Sequence, residues 1–117
     1  TMLHKLGLCL TMILGMTAAA LAHHGWGSYD ASRLVTVEGK IEDSKFEMPH
    51  VLIRVKAADK TWNVVLAPTS RMTARGATPE MVAVGKTVTA AGYASTVEKN
   101  EMRAERITVD GKTVEMR

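Results

Sequence analysis

One cysteine, Cys9, is the only thiol in the 117 residues, and it lies in the apolar segment near the N-terminus. Beyond that segment the chain can form no disulfide, offers a metal no thiolate and carries no cysteine nucleophile, so a core alone must hold it. Aromatics are almost as scarce, with two tryptophans, two tyrosines and one phenylalanine. Single-stranded nucleic acid is bound on a series of stacking rings, which so few aromatics do not supply. A spanning helix needs about 20 consecutive apolar residues; the stretch 6–22 falls short and ends in alanines with no basic residue behind them. Also missing are a glycine-rich phosphate loop behind a strand, an acid pair that combines helical spacing with a pocket context, and a nucleophile motif. Ser28, Asp30 and His24 are near one another in sequence, but a catalytic set is assembled in space and not by adjacency. The expectation is a protein that is not an enzyme.

What the N-terminus does contain has the order of an export signal. His4 and Lys5 give a short basic start, residues 6–16 an apolar stretch, and Ala20-Leu21-Ala22 the small-x-small pattern of signal peptidase. Cys9 follows Leu8 early in the apolar run, which is not the setting of a lipid-modified cysteine. The chain therefore divides into a signal peptide (1–22), an N-terminal arm (23–34) and one β domain (35–117), with a periplasmic location and no stable membrane insertion after cleavage. Removing 22 of the 117 residues leaves 95, enough for one domain. The signal takes one of the 15 basic residues and none of the 12 acidic ones, which leaves a formal charge of +2. So small an excess does not mark a nucleic-acid binder.

From Val35 onward apolar and polar residues alternate. Val35, Val37, Gly39 and Ile41 interleave with Thr36, Glu38, Lys40 and Glu42, which predicts a strand with one face buried. Val51, Ile53 and Val55 predict a second strand, and Trp62, Val64 and Leu66 a third, joined by a turn at Ala58-Asp59-Lys60. The period then changes. Pro68-Thr69-Ser70 predicts a helix start and Gly76 its left-handed stop, and Thr78-Pro79-Glu80 repeats the start chemistry, giving one or two short helical turns between Pro68 and Val84. Residues 87–94 and 102–109 read as strands four and five, and Asp110-Gly111 as a hairpin that returns residues 112–117 onto the fifth. Three strands, a short helix and two or three more strands is the element order of an OB-like barrel. The fold class is mainly β, a small OB-like barrel of five to six strands with a short helix between strands three and four. Its interior is assigned Val35, Val37, Ile41, Val51, Ile53, Val55, Trp62, Val64, Leu66, Val88, Ala90, Ile107 and Val109, with Gly39 and Gly92 where bent strands cross closely.

The segments Ala22-His23-His24-Gly25-Trp26-Gly27-Ser28-Tyr29-Asp30, Met48-Pro49-His50, Leu66-Ala67-Pro68-Thr69-Ser70-Arg71-Met72 and Met102-Arg103-Ala104-Glu105-Arg106-Ile107 together resemble a family of short exported proteins of Gram-negative bacteria with no known function. The resemblance runs along nearly the whole mature length and includes a double histidine after the signal and an Asn-Pro-His element, in which Met48 stands where the family has asparagine. It implies export and one compact domain, and no activity.

The candidate chemistry is at the processed terminus. Cleavage after Ala22 exposes the α-amine of His23 beside its imidazole, and His50 can complete a three-nitrogen site of the kind Cu(II) prefers. That arrangement resembles the histidine brace of copper-dependent polysaccharide oxygenases, sharing with it the N-terminal histidine. In the alternative scheme His24 binds through the amine, the intervening amide and its own ring, without His50. Zn(II) can also take three nitrogens and a water. Terminal histidines directly after a cleavage site are more often frayed than ligating. Trp26 and Tyr29 are read as aromatic anchors that hold the arm to the barrel, with Trp26 turned inward.

The second function class is a ligand or partner on the barrel face. OB-folds bind on the face of strands two and three with the flanking loops, where this chain has Arg54, Lys56, Trp62 and Asn63. Arg71 and Arg75 fall on one helix face, and Arg103 and Arg106 add charge near the fifth strand. These groups suit a small anionic ligand or the acidic surface of a periplasmic partner, although the interspersed Glu98, Glu101 and Glu105 suit a solvated face as well.

Overall fold

The computed structural model describes residues 26–117. After a single 3-10 turn, Trp26–Ser28, come β1 (Tyr29–Lys45), β2 (Leu52–Ala57), β3 (Thr61–Val65), the helix α1 (Thr69–Ala74), β4 (Thr87–Ser95), β5 (Glu101–Val109) and β6 (Lys112–Glu115). β1 pairs antiparallel with β2 and β4, β2 with β3, and β4 with β5. A parallel pairing of β3 with β5 then closes the ring, reinforced by the Asn63 N–H donating to the Asn100 carbonyl at 2.7 Å. The result is an OB-like five-stranded barrel, with β6 added to the C-terminal half of β5.

Period-two patterning explains why these segments fill the barrel. Val37, Ile41, Val51, Ile53, Val55, Trp62, Val64, Leu66, Val88, Ala90, Ile107 and Val109 are all buried, and Val35 is partly buried against them. Trp62 lies in this interior; its indole N–H donates to Asp59 Oδ1 at 3.3 Å, and the Lys60 ammonium sits 4.1 Å from its ring centroid. Met72 is the buried residue of α1. Asp110 and Gly111 both take positive φ, 51° and 79°, the geometry of a primed hairpin turn.

Two glycines permit the closest crossings of the wall. A Cβ on Gly39 would stand 2.0 Å from the Lys56 carbonyl oxygen, and one on Gly92 2.0 Å from that of Arg103. Both neighbours are backbone, so no side-chain movement relieves the clash. Bulges bend the same strands. Register slips between Ile41 and Asp43 on β1, and on β5 opposite Ala91 and Gly92, where Arg106 and Ala104 are the partners and Glu105 is the extra residue.

The structure departs from the sequence expectation at three places. β1 begins at Tyr29 and not near Val35, because Tyr29 pairs with Ser95 and Leu34 with Tyr93, while the residues between them bulge out and leave no alternation to read. The Thr78-Pro79-Glu80 segment forms turns and no second helix, although the Thr78 hydroxyl does accept the Met81 N–H at 3.3 Å. Burial also includes Met72, Met102, Ala104, Val114 and Met116, which the alternation of the early strands did not mark.

Candidate functional site

The register of β5 sets up the site. Met102 and Ala104 point inward and are fully buried, so Glu101 and Arg103 face outward. Pairing across the barrel wall makes two outer rows, Leu52–Val65–Arg103 and Arg54–Asn63–Glu101. The β1–β2 connection brings Pro49 and His50 to one side of these rows, and the β4–β5 connection brings Val97 and Glu98 to another. Ser28 and Tyr29 stand at a third side, where the Ser28 carbonyl accepts from the backbone N–H and hydroxyl of Thr96 at 2.8 and 3.0 Å. Together they enclose a cleft of about 430 Å³ lined by Tyr29, His50, Leu52, Val65, Val97, Glu98, Glu101 and Arg103, among others. It occupies the strand-two and strand-three face, with both flanking loops, on which OB-folds carry ligands.

Arg103 is the central charged group. Its guanidinium carbon lies 4.1 Å from the centroid of the Trp26 ring, and Arg117 meets the same ring at 4.4 Å. Tyr29 and Tyr93 approach Trp26 edge-on, with centroids at 6.3 and 6.1 Å. Trp26 is thus an anchor as expected, but it is half-buried on the outer wall and is not turned into the barrel, whose interior is already filled. Arg103 Nη2 lies 3.3 Å from His50 Nε2. A guanidinium can only donate, so the acceptor in this contact is the imidazole nitrogen. Burial is the main reason the Arg103 pKa sits below the ordinary arginine value; Arg117 and Arg71 push the same way, against Tyr29.

The Tyr29 hydroxyl donates to Glu101 Oε2 at 2.6 Å. Burial first, then the hydrogen bond to Glu101 and its charge, hold the Tyr29 phenol well above its ordinary pKa, with Arg103 opposing. Ion pairs among the described residues join Arg106 to Glu115 at 3.0 Å, Arg117 to Glu105 at 3.7 Å and Lys86 to Asp110 at 2.8 Å. None of them includes Arg103, Glu98 or Glu101.

The residues singled out in the sequence separate into different places. His50 stands in the cleft, while His23 and His24 lie outside the described residues. No group of three His, Cys, Asp or Glu among the described residues could hold a metal ion. Arg54, Lys56 and Asn63 are exposed on the expected face, but Trp62 is on the other side of the wall. Arg71 and Arg75 do share a helix face, and it is turned to the C-terminal backbone. Arg71 donates to the Met116 carbonyl at 3.0 Å, and Arg75 to those of Glu115 and Arg117 at 2.8 Å each. Sequence reasoning missed the pairing of Arg103 with His50 and Trp26, since three separate segments must meet to make it. No helix among the described residues is long and apolar enough to cross a membrane.

Fold and cleft define an OB-like barrel with a small open cleft over β2, β3 and β5. Residues 11–114 match the model of a family of unknown function (DUF6152), and the chain belongs to that family. No curated protein matches it. Among solved structures it is similar to the ZRD-deleted mutant of TiaS in complex with agmatine, with 15% identity over 74% of this chain and a TM-score of 0.53. It also matches TiaS in a complex with a transfer RNA and ATP, with 18% identity over 68% of the chain and a TM-score of 0.45. The chain spans 27% and 18% of those two chains. At such identity the first likeness speaks for the fold alone.

Proposed function

We propose that this chain is a small exported, periplasmic binding module that holds its ligand, without transforming it, in the cleft over β2, β3 and β5, with an anionic group of the ligand on Arg103. The observation that supports this reading is the state of Arg103: half-buried, stacked on Trp26, and in no ion pair among the described residues. Burying a charge without an opposite charge beside it is costly. A carboxylate or similar anion entering the cleft relieves that cost and can take two parallel N–H donors from the planar guanidinium. The test uses hexanoate, a carboxylate on an apolar chain, titrated calorimetrically into the protein that starts at His23. Binding to the parent protein and its loss in Arg103→Ala are the expected results, and equal heats from both proteins would reject the site. Recovery of the protein from the periplasmic fraction with His23 as its first residue checks the export, which full-length protein in the inner membrane would contradict.

A second reading concerns copper. Trp26 stacks on Arg103, which meets His50, and a three-residue step is at most about 10 Å long, so chain length does not keep a processed N-terminus from this surface. The guanidinium 3.3 Å from His50 Nε2 opposes a Cu(II) ion at that nitrogen. The scheme that uses the amine, the amide and the His24 ring therefore fits this surface better than the one that recruits His50. Cu(II) titration should show binding that survives His50→Ala, disappears when one residue is added before His23, and fades as pH falls through about 6.5, where protons compete for imidazole. Equal, weak binding by all three proteins would remove the metal from the account.

A further inference from the structure

The anion reading leaves the acidic side of the same cleft unexplained. Glu101 and Arg103 are two residues apart on one face of β5, which places their Cα atoms about 7 Å from each other, yet they form no ion pair. Each is held toward a different neighbour. Arg103 is fixed by the Trp26 ring and His50. Glu101 is fixed by the Tyr29 hydroxyl on Oε2, and its Oε1 has no hydrogen-bond partner among the described residues. Glu98 joins Glu101 in the lining and makes no ion pair there. The same lining includes the apolar Pro49, Leu52, Val65 and Val97 beside the hydroxyls of Ser28 and Ser95. Leu52 and Val97 are 44% and 66% exposed, an arrangement that leaves two large aliphatic groups facing water at the mouth.

A site that keeps a cation and an anion apart, each pinned by a third group, suits a ligand that carries both charges itself. We infer that the cleft takes a free α-amino acid with an aliphatic side chain: its carboxylate on Arg103, its ammonium on Glu101 Oε1 with Glu98 nearby, and its side chain against Leu52, Val65 and Val97. This rests on the anion reading above and adds to it the recognition of the ammonium group. The volume of about 430 Å³ falls at the small end of ligand pockets, which suits an amino acid better than an oligomer. A simple lipid or fatty-acid carboxylate would satisfy Arg103 but leave the two acids unmatched.

L-Leucine, N-acetyl-L-leucine, L-leucinamide and hexanoate, titrated calorimetrically into the protein beginning at His23, separate the possibilities. L-Leucine should bind at least about tenfold tighter than each of the other three, because each lacks one of the two charges and leaves its partner group unmatched. Glu101→Gln keeps an oxygen for the Tyr29 hydroxyl and so preserves the arm. It should weaken L-leucine about tenfold without weakening hexanoate, which has no ammonium to lose and meets one negative charge fewer. If hexanoate or N-acetyl-L-leucine binds as tightly as L-leucine, ammonium recognition is wrong and the anion site stands. If none of the four binds, or binding is indifferent to Arg103→Ala, both readings fall together. Thermal unfolding of each variant, run alongside, shows that a lost heat reflects the site and not the fold.

Discussion

Arginines mark two flanks of one barrel, and they are used in opposite ways. On the flank formed by α1 and the C-terminal strand, Arg71 and Arg75 donate to the carbonyls of Glu115, Met116 and Arg117, so each guanidinium is matched by backbone and acts as a strap. On the flank formed by β3 and β5, Arg103 is half-buried against Trp26 and His50 with no carboxylate at ion-pair distance among the described residues. Trp26 lies between the two flanks, touching Arg103 on one side and Arg117 on the other. The difference teaches that a guanidinium count says little about binding; what matters is which of them the fold has already matched.

Substitutions can break this division, and the largest effects should come from the wall that both flanks share. Trp62 is 7% exposed and backs the outward row of Asn63 and Val65, so Trp62→Ala should cost about 3–5 kcal/mol out of a total near 5–15 kcal/mol. Urea unfolding measures it. A loss below about 1 kcal/mol would mean that the indole is not in the core. Gly92→Ala comes next: its new Cβ would meet the Arg103 carbonyl oxygen at 2.0 Å, and pushing β5 away should cost about 1–3 kcal/mol. Because the displaced residue is Arg103 itself, this variant should also weaken hexanoate, which Trp62→Ala at a temperature where it remains folded should not do.

The closed flank should lose stability without losing the site. Arg71→Ala with Arg75→Ala removes three hydrogen bonds to the last carbonyls; for exposed, charge-assisted bonds the pair is expected to cost about 1–2 kcal/mol. Val114 and Met116 are buried at 3% and 2% exposure, so amide exchange should quicken first along β6. Unchanged hexanoate binding would support the division between flanks, and a loss as large as that of Arg103→Ala would show that the straps and the site are one unit.

Much of the barrel is readable from the chain, and the reasons it stops being readable are local. Strands two to four alternate cleanly, and Asp110-Gly111 turns as such a pair does when both residues take positive φ. β5 misleads because Glu105 is a bulge: inward residues are Met102 and Ala104 before it and Ile107 and Val109 after it. A reader who extends the later phase backwards assigns Arg103 to the interior side and misses two core residues. β1 hides its beginning for a related reason, since the residues between Tyr29 and Leu34 bulge away from β4. The face that carries the cleft was legible through the OB-like order of elements, but its residues were not. The cleft draws on residues near 28, 50, 97 and 103, and nothing local to any of those segments says that Arg103 lacks a carboxylate at ion-pair distance among the described residues while backbone carbonyls take Arg71 and Arg75.

The smallest expected effect tests whether the arm truly belongs to the open flank. Tyr29 reaches across to Glu101 at 2.6 Å, and its phenol is held above its ordinary pKa chiefly by burial, then by that carboxylate. A phenol whose folded pKa exceeds the unfolded value of about 10 favours the folded state fully below that pH. The contribution is lost as pH rises beyond it toward the folded value, because the unfolded chain ionises first. Stability measured by urea unfolding should therefore decline above about pH 10 more steeply in the parent protein than in Tyr29→Phe, and the two should differ at neutral pH only by the single hydrogen bond. Glu101→Gln should lessen the decline as well, since it removes the charge that opposes the phenolate while keeping an acceptor. Identical alkaline profiles for all three would separate Tyr29 from Glu101, and the arm would then form no wall of the cleft.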